Sequence, residues 1–555
     1  MSNIIGIGGS IHDFASCLLI DKQMNAIEDE RITRVRHAIN SSNPCQPSLQ
    51  YCLNWAGLQL EDIDTIIAND DLLQVIDPHV YPDIVLVNHH LTHAYSTFFT
   101  SPFEEAAILV LDGAGSKLSG TNGDIRETTT YAYGNKNDVT VINRVFGDLK
   151  GKNYVTKSET LMSNSIGEFY RAIAENLELG WLVGPGKVMG LSSYGASFGD
   201  DRFISEMMSC IKLLPEGQFK ININGEKGLI DKFFQIRQNY HKKEDPFRID
   251  AAIAHAGQVV LEKVLFHTLD YLSTKIQTKN LCLAGGVALN SLVNGKIPFL
   301  TKFKNVHVFF APGDSGTAIG ASIWGYLNNS NQTDDLIRFH SGPFLGRPYS
   351  SDEIVTALNS IGLTYTQPVD LYHQVAHLLS RGRTVAWYQG SSEFGPRALG
   401  NRSILADPRN SLMRDHINSN IKHREWFRPL APAVLDSTTA VYFDAHCLSH
   451  WMQFVWHVRK KFHKILPSIT HVDGGARVQS VSKDENPSFY TLLENFQQIT
   501  GIPILLNTSF NIKGEPIVET PYEAIHAFLE SQIDVLVLGE FLVVKKFDLT
   551  FKSPI

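Results

Sequence analysis

Two histidines four residues apart, His89 and His93 in Val87-Asn88-His89-His90-Leu91-Thr92-His93-Ala94, would project from one face of a helix and could grip a single metal ion. The run Ile84 to Val87 before them is apolar and β-branched, as a buried strand is, so the pair should open the helix that follows. Another strand-like run, Ala106 to Leu111, ends in Asp112 and the turn Gly113-Ala114-Gly115-Ser116. Much later Val306 to Phe310 leads into Ala311-Pro312-Gly313-Asp314-Ser315-Gly316. Each carboxylate thus stands at the carboxyl end of a strand, where open α/β sheets place ligands. Two imidazoles and two carboxylates suit a borderline divalent metal such as Fe(II), Mn(II) or Zn(II), with positions left for substrate oxygen. The alternative is a pair of packed or capping histidines. A His-Glu-x-x-His protease is disfavoured, because its general-base position is occupied by His90.

A second set is cationic. Thr384 to Tyr388 reads as a strand leading into Gln389-Gly390-Ser391-Ser392-Glu393-Phe394-Gly395-Pro396-Arg397-Ala398-Leu399-Gly400-Asn401-Arg402-Ser403. Downstream come Lys422, Arg424 and Arg428, then His471-Val472-Asp473-Gly474-Gly475-Ala476-Arg477, then the strand Pro503 to Leu506 ending in Asn507-Thr508-Ser509-Phe510-Asn511. Guanidiniums fork onto phosphate oxygens and lysine acts as a point charge, so these residues suggest a small polyanionic substrate. The alternative pairs Arg397 and Arg402 with Glu393 and Asp407 on the surface.

The elements that must position these groups can be read in outline. Ile4 to Ile7 is a first strand, Gly8-Gly9-Ser10 a tight turn whose amides could face a phosphate, and Ala15 to Ile20 a returning strand. His12, beside that turn, could act as a general base toward a substrate hydroxyl or simply hydrogen-bond the loop. Glu30 to His37 is a charged run of the kind that is usually a solvated surface, although its place beside the first hairpin makes a gating role conceivable. Glu127 to Ala132 and Val139 to Val145 form a surface hairpin, and Ile166 to Leu177 and Ala252 to Leu272 are helices. The glycines of Gly184-Pro185-Gly186-Lys187-Val188-Met189-Gly190-Leu191 suggest backbone approach to an anion, without P-loop spacing. Asn280 to Ala284 and then Gly285-Gly286-Val287-Ala288-Leu289-Asn290 make a nucleotide seat, or only a tightly packed turn. Glycines and prolines between Ser341 and Ser351 mark a domain boundary.

At 555 residues the chain should form at least two domains, and a formal charge of −8 argues against a nucleic-acid binder. Six scattered cysteines without a Cys-x-x-Cys fit a reducing compartment. The amino terminus does not read as a signal peptide, and no apolar run approaches a membrane span, so the expected location is cytoplasmic. No internal repeat is apparent.

Taken together, Asn88-His89 to His93, Gly186 to Leu191, Ala284 to Asn290, Phe394 to Gly400, His471 to Gly474 with Arg477, and Asn507 to Asn511 resemble the nodulation-type O-carbamoyltransferase family, which includes tobramycin and cephem carbamoyltransferases. The resemblance implies an α/β protein with two domains. Residues 1–340 would be an actin-like (ASKHA) domain of the threonylcarbamoyl-transferase type, and residues 341–555 a YrdC-like domain. It implies that the second domain activates carbamoyl phosphate with ATP and Mg to carbamoyl-adenylate. The first would pass the carbamoyl group to a hydroxyl of a small natural product, antibiotic biosynthesis included. His89, His93, Asp112 and Asp314 would hold the metal, Fe(II) favoured, with Mn or Zn as alternatives. Arg397, Lys422, Arg428, Arg477, Asn507 and Ser509 would meet carbamoyl phosphate and ATP. The adenylate in the first domain would lie against Asp112, Gly113, Ala114, Gly115, Ser116, Gly286 and Asn290, with His12 catalytic.

Three departures from the family pattern stand out. Trp426 is added within Lys422-His423-Arg424-Glu425-Trp426-Phe427-Arg428-Pro429, Gly475 replaces a small polar residue, and Ser192-Ser193 replaces Ala-Pro. The competing activity is tRNA threonylcarbamoylation, disfavoured by the acidic charge. A sugar or acid kinase and a non-catalytic scaffold explain fewer of the motifs. The expected partners are small molecules, with neither nucleic acid nor membrane. Acceptor recognition should fall to loops around Gly120 to Lys157 or Ser197 to Lys242.

Overall fold

The computed structural model describes residues 2–77, 81, 83–118, 124–149, 161–223, 228–329, 336–339 and 342–545. Residues 120–123 and 150–157 of the first acceptor-loop candidate, and 224–227 of the second, lie outside the described residues. The chain divides into two compact units, one of residues 1–29 and 40–341, the other of residues 30–39 and 342–555.

The first unit holds two five-stranded mixed sheets. In one, β1 (Asn3–Gly8), β2 (Ala15–Ile20) and β3 (Gln23–Glu28) run antiparallel, while β4 (Thr65–Asn69) and β5 (Val85–Val87) continue parallel on the other side of β1. In the other, β6 (Glu105–Leu111), β7 (Ile125–Asn135) and β8 (Asp138–Asp148) run antiparallel. After the small hairpin of β9 (Ile211–Leu213) and β10 (Phe219–Ile221), β11 (Asn280–Ala284) and β12 (Asn305–Val308) join β6 in parallel. Both sheets therefore repeat one plan: three antiparallel strands, then two parallel ones added beside the first. The sequence shows no such repeat, because the plan needs only apolar strands in order, not matching residues.

Buried strands demand apolar residues on both faces, and β6 supplies them, since only Glu105 is exposed. Helix α1 (His89–Phe99) follows β5; the Asn88 side chain accepts from Leu91 N at its amino end, and every residue except Leu91 is buried. Further on come α2 (Ile166–Asn176), α3 (Gly184–Phe198), α4 (Pro246–Lys275), α5 (Ser291–Leu300) and α6 (Thr317–Asn329). The glycine-rich run around Lys187 forms the first turns of α3. Gly186 faces open space, whereas two other glycines of this helix allow close packing: a Cβ on Gly195 would lie 2.1 Å from Ala251 O of α4, and one on Gly184 2.6 Å from Ala174 Cβ of α2. Gly320 lets α6 cross α1 in the same way, 1.8 Å from Thr92 O.

The second unit is built on a seven-stranded mixed sheet in the order β18–β15–β19–β14–β13–β20–β21. These strands are β13 (Val385–Tyr388), β14 (Arg402–Ala406), β15 (Ala431–Leu435), β18 (Gln479–Val481), β19 (Ile504–Ser509), β20 (Val535–Leu538) and β21 (Phe541–Val544), with β16 (Val455–His457) and β17 (Gly475–Arg477) as a separate antiparallel pair. Helices α7 (Leu371–Ser380) and α8 (Pro487–Thr500) cover the sheet, burying Val375, Leu379, Trp387, Phe489 and Phe496 in one core. Residues 30–39, read from sequence as a solvated charged run, pack in this unit instead, with Arg31 only 1% exposed.

Candidate active site

His89 and His93 lie on one face of α1, with ring centroids 4.9 Å apart. Asp112 follows β6 directly, and Asp314 lies on the turn after β12 that opens α6. One donor atom from each of the four falls within 4.8 Å of all the others. Asp112 Oδ2 is 3.3 Å from Nε2 of both histidines, and Asp314 Oδ1 is 3.7 Å from each.

The carboxylates are aimed. Asp112 Oδ1 accepts from Gly113 N and Gly286 N, turning Oδ2 inward, while Asp314 Oδ2 accepts from Ser10 Oγ at 2.5 Å, turning Oδ1 inward. His93 Nε2 is buried without a hydrogen-bond partner although a carboxylate oxygen stands 3.3 Å away. Apart from the 3.3 Å hydrogen bond between His89 Nε2 and Asp112 Oδ2, these donor atoms face one another without bonding, as around a shared cation, and two imidazoles with two carboxylates suit a transition metal. Behind α1, Asp70 and Ser116 hold the His89 amide, and Glu127 accepts from Asn88 Nδ2, His90 N and Ser116 N. His90 points elsewhere, to Thr130 Oγ1 at 2.8 Å, and burial pushes it down to about 4, so it is a neutral core residue.

In the protein alone, burial disfavours charge on His89, but the Asp112 hydrogen bond and the Asp314 and Asp112 charges outweigh it and push it up to about 10. Burial likewise opposes ionisation of Asp112, yet the hydrogen bond with His89 and the charges of His93 and His89 hold it well below the usual carboxylate range.

His12 sits between β1 and β2, its Nδ1 2.9 Å from Asp13 Oδ2 and its ring edge-on to Trp181 at 5.8 Å. Burial lowers its pKa, but Asp13, Asp314 and Asp112 together push it up to about 9. Trp181, which also lies 5.5 Å from the Arg171 guanidinium, carried no signal in the sequence.

Several amides of the expected nucleotide turns make hydrogen bonds within the protein. Gly9 N donates to Thr317 Oγ1 and Ser10 N to His12 O, so the first glycine turn does not present those amides to a phosphate. Gly113 N and Gly286 N go to Asp112, and Gly115 N and Ser116 N to Glu127, while Ala114 shares that turn. Ser116 Oγ bonds Asp70, and Asn290 caps α5 and pairs with Gln258. Gly285 has φ +86°, and a Cβ there would lie 2.2 Å from Leu111 O, so close approach of β11 to β6 accounts for this glycine.

In the second unit, Arg397, Arg424, Arg428, Arg477 and Lys422 crowd one another. Burial and then Arg428 push Arg397 down to about 10, and Arg424 to about 9. Burial with Arg397, Arg428 and Arg424 holds Arg477 well below its usual range, and burial with Arg424, Arg428 and Arg36 does the same to Lys422. Among the described residues neither Arg397 nor Arg477 has a carboxylate within ion-pair distance, and Glu425 reaches Arg428 only at 3.7 Å. Such a cluster wants an anion.

Other members of the expected set make hydrogen bonds within the protein. Lys422 Nζ donates to Ser509 O and Asn511 O and to Ser509 Oγ, and also bonds Asn511 Oδ1. Asn507 donates to Ala398 O and Gln479 Oε1, tying β19 to the Arg397 loop. The pairing expected of Arg402 and Glu393 does not occur. Glu393 accepts instead from the amides of Leu399, Asn401 and Arg402, and the Arg402 side chain donates to Gln389 O and Gly390 O over the Tyr388 ring. Asp407 pairs with Arg409.

A family model described as Carbamoyltransferase N-terminus matches residues 71–323, and one described as Carbamoyltransferase C-terminus matches residues 376–545. Nodulation protein NolNO of Sinorhizobium fredii is 34% identical over 97% of this chain and 79% of its own length. Nodulation protein NolO of Bradyrhizobium diazoefficiens is 36% identical over 83% of this chain and 79% of its own. The 3'-hydroxymethylcephem-O-carbamoyltransferase of Amycolatopsis lactamdurans is 30% identical over 64% of each chain. No helix among the described residues is long and apolar enough to cross a membrane.

Proposed function

The chain belongs to the carbamoyltransferase family, and from that premise we propose that it is an ATP-dependent O-carbamoyltransferase acting on a hydroxyl of a small natural product. On this reading the second unit makes carbamoyl-adenylate and the first transfers the carbamoyl group. The actin-like assignment of the first unit draws support from its doubled strand plan; the YrdC-like assignment of the second rests on the family alone. The observation that carries the reading is the set of guanidiniums without carboxylate partners, which is a seat for phosphate oxygens.

Atoms balance when carbamoyl phosphate, ATP and water give carbamoyl-adenylate, phosphate and pyrophosphate. Carbon–oxygen cleavage or phosphoryl hydrolysis frees carbamate, whose oxygen then bonds to the α-phosphorus as the bond to the β-phosphoryl oxygen breaks. Arg397, Arg428 and Arg477 would hold the phosphates and offset the charge that builds on the departing oxygens. Lys422, Asn507 and Ser509 would keep that loop set in place.

In the first unit His89, His93, Asp112 and Asp314 would hold a divalent metal, Fe(II) favoured. When bound it supplies a Lewis acid for a carbamoyl or phosphate oxygen. His12, oriented by Asp13, would accept the acceptor's hydroxyl proton at Nε2 as that oxygen attacks the carbamoyl carbon and AMP departs. Because the Gly113, Gly115, Ser116 and Gly286 amides are engaged internally, the adenylate would meet this turn through its shape more than through free donors.

Carbamoyl-phosphate-dependent exchange of pyrophosphate into ATP tests the reading. Exchange is expected, and its absence with active protein would overturn it. The tRNA alternative has no observation in its favour here.

A further inference from the structure

We propose that Arg36 is a further anion-binding residue of the second unit, gripping the polyphosphate of the nucleotide at the rim of the cationic cradle; the inference deepens the proposed adenylate-forming reaction and rests on it.

Arg36 lies on residues 30–39, which fold with the second unit although β3 and Asp29 before them belong to the first. This segment is pinned on both sides of the arginine. Arg31, buried, donates through Nη2 to Gly395 O at 2.7 Å, two residues before Arg397. Arg34 donates to Ile517 O and Pro516 O, at 2.8 and 3.0 Å, and its guanidinium is 3.3 Å from Glu523. On the far side His37 N donates to the Glu30 carboxylate at 2.7 Å. Arg34, His37 and Ala38 all take left-handed backbone, with φ of 61°, 59° and 46°, which turns the segment sharply around Arg36.

The two loops so gripped border the cradle. One holds Arg397. The other runs from Ser509 and Asn511, the partners of Lys422, to Glu515, whose carbonyl accepts from Asn511 Nδ2 at 2.6 Å. Arg36 itself has no hydrogen bond or ion pair among the described residues, and its charge is felt by Lys422 and Arg428.

Depth separates the ligands. Lys422 is buried and Arg397, Arg428 and Arg477 partly so, whereas Arg36 is exposed. A small anion such as carbamoyl phosphate fits the deeper set, and the tail of a longer one would reach the outer arginine. An always-charged fork held at the rim suits phosphate oxygens and would stabilise pyrophosphate as it leaves.

Calorimetric titration of the full-length protein with pyrophosphate tests this without turnover. Arg36→Ala should weaken binding roughly tenfold, the loss expected for a charge-assisted contact, with Arg36→Lys recovering part of it. In the exchange assay the KM for ATP should rise by a similar factor, roughly tenfold, while that for carbamoyl phosphate stays within about twofold. Unchanged pyrophosphate affinity in Arg36→Ala, or a rise confined to the carbamoyl phosphate KM, would overturn the assignment. If the parent protein bound pyrophosphate through Arg36 but showed no exchange, the proposed reaction would fail while this contact stood. A melting curve matching the parent's shows that the variant is folded.

Discussion

Arg477 is the residue on which the cradle's electrostatics bear most heavily: partly buried, facing Arg397, Arg428 and Arg424, and without a carboxylate among the described residues. Replacing it with methionine removes one of several mutually repelling cations. Arg477→Met should therefore raise the unfolding temperature in phosphate-free buffer, a gain on the order of 1 kcal/mol. The same change should abolish the stabilisation that pyrophosphate gives the parent protein, as thermal scans with and without the anion would show. His12 makes a prediction of opposite kind. With its folded pKa at about 9 against an ordinary 6.5, the stability it contributes to the metal-free protein is fully present below pH 6.5 and lost as pH rises through 9. Denaturant titrations at pH 6 and pH 10 should show a larger loss in the parent than in His12→Gln, which keeps only the contribution of other raised groups such as His89. As a base His12 must be neutral. Transfer from supplied carbamoyl-adenylate should therefore climb with pH through an apparent pKa no higher than about 9 and flatten in His12→Gln.

Helix α1 carries both imidazoles, so its amino end decides where they point. Asn88 caps it through Leu91 N and joins Ser116 and Glu127 with its amide. Asn88→Ala should cost about 1 kcal/mol of stability and about tenfold in cation affinity, read by melting and by metal titration. Much of this site could be read from the chain before any fold was known. His89 and His93 share a face at helical spacing, and both carboxylates follow strand-like runs, which the structure shows as β6 and β12. Glycine density did not reveal that the run around Lys187 is helical, with Gly184 and Gly195 giving close contact to α2 and α4. The Asn290 side chain and the Gly9 and Ser10 amides are engaged inside the protein. Hydrogen-bond partners hundreds of residues away, such as Thr317 for Gly9, leave no local trace. Nor could the strand order of the seven-stranded sheet be read, since it depends on which distant edges meet.

At the scale of the molecule, the proposed reaction divides its chemistry between the units. Arg397→Ala should stop pyrophosphate exchange and leave transfer from supplied carbamoyl-adenylate measurable. His89→Asn should lower metal content and transfer but spare exchange. Equal loss of both steps in either variant would contradict the division. The boundary is less simple than a cut between two halves, because residues 30–39 complete the later unit from an early part of the chain. A ribosome has made this strap long before its receptor exists. Until the carboxy-terminal half emerges, Arg31 has no Gly395 carbonyl to meet and Arg34 no Ile517. Translating residues 342–545 by themselves should therefore yield an incomplete protein, one that a synthetic peptide of residues 30–39 would solidify.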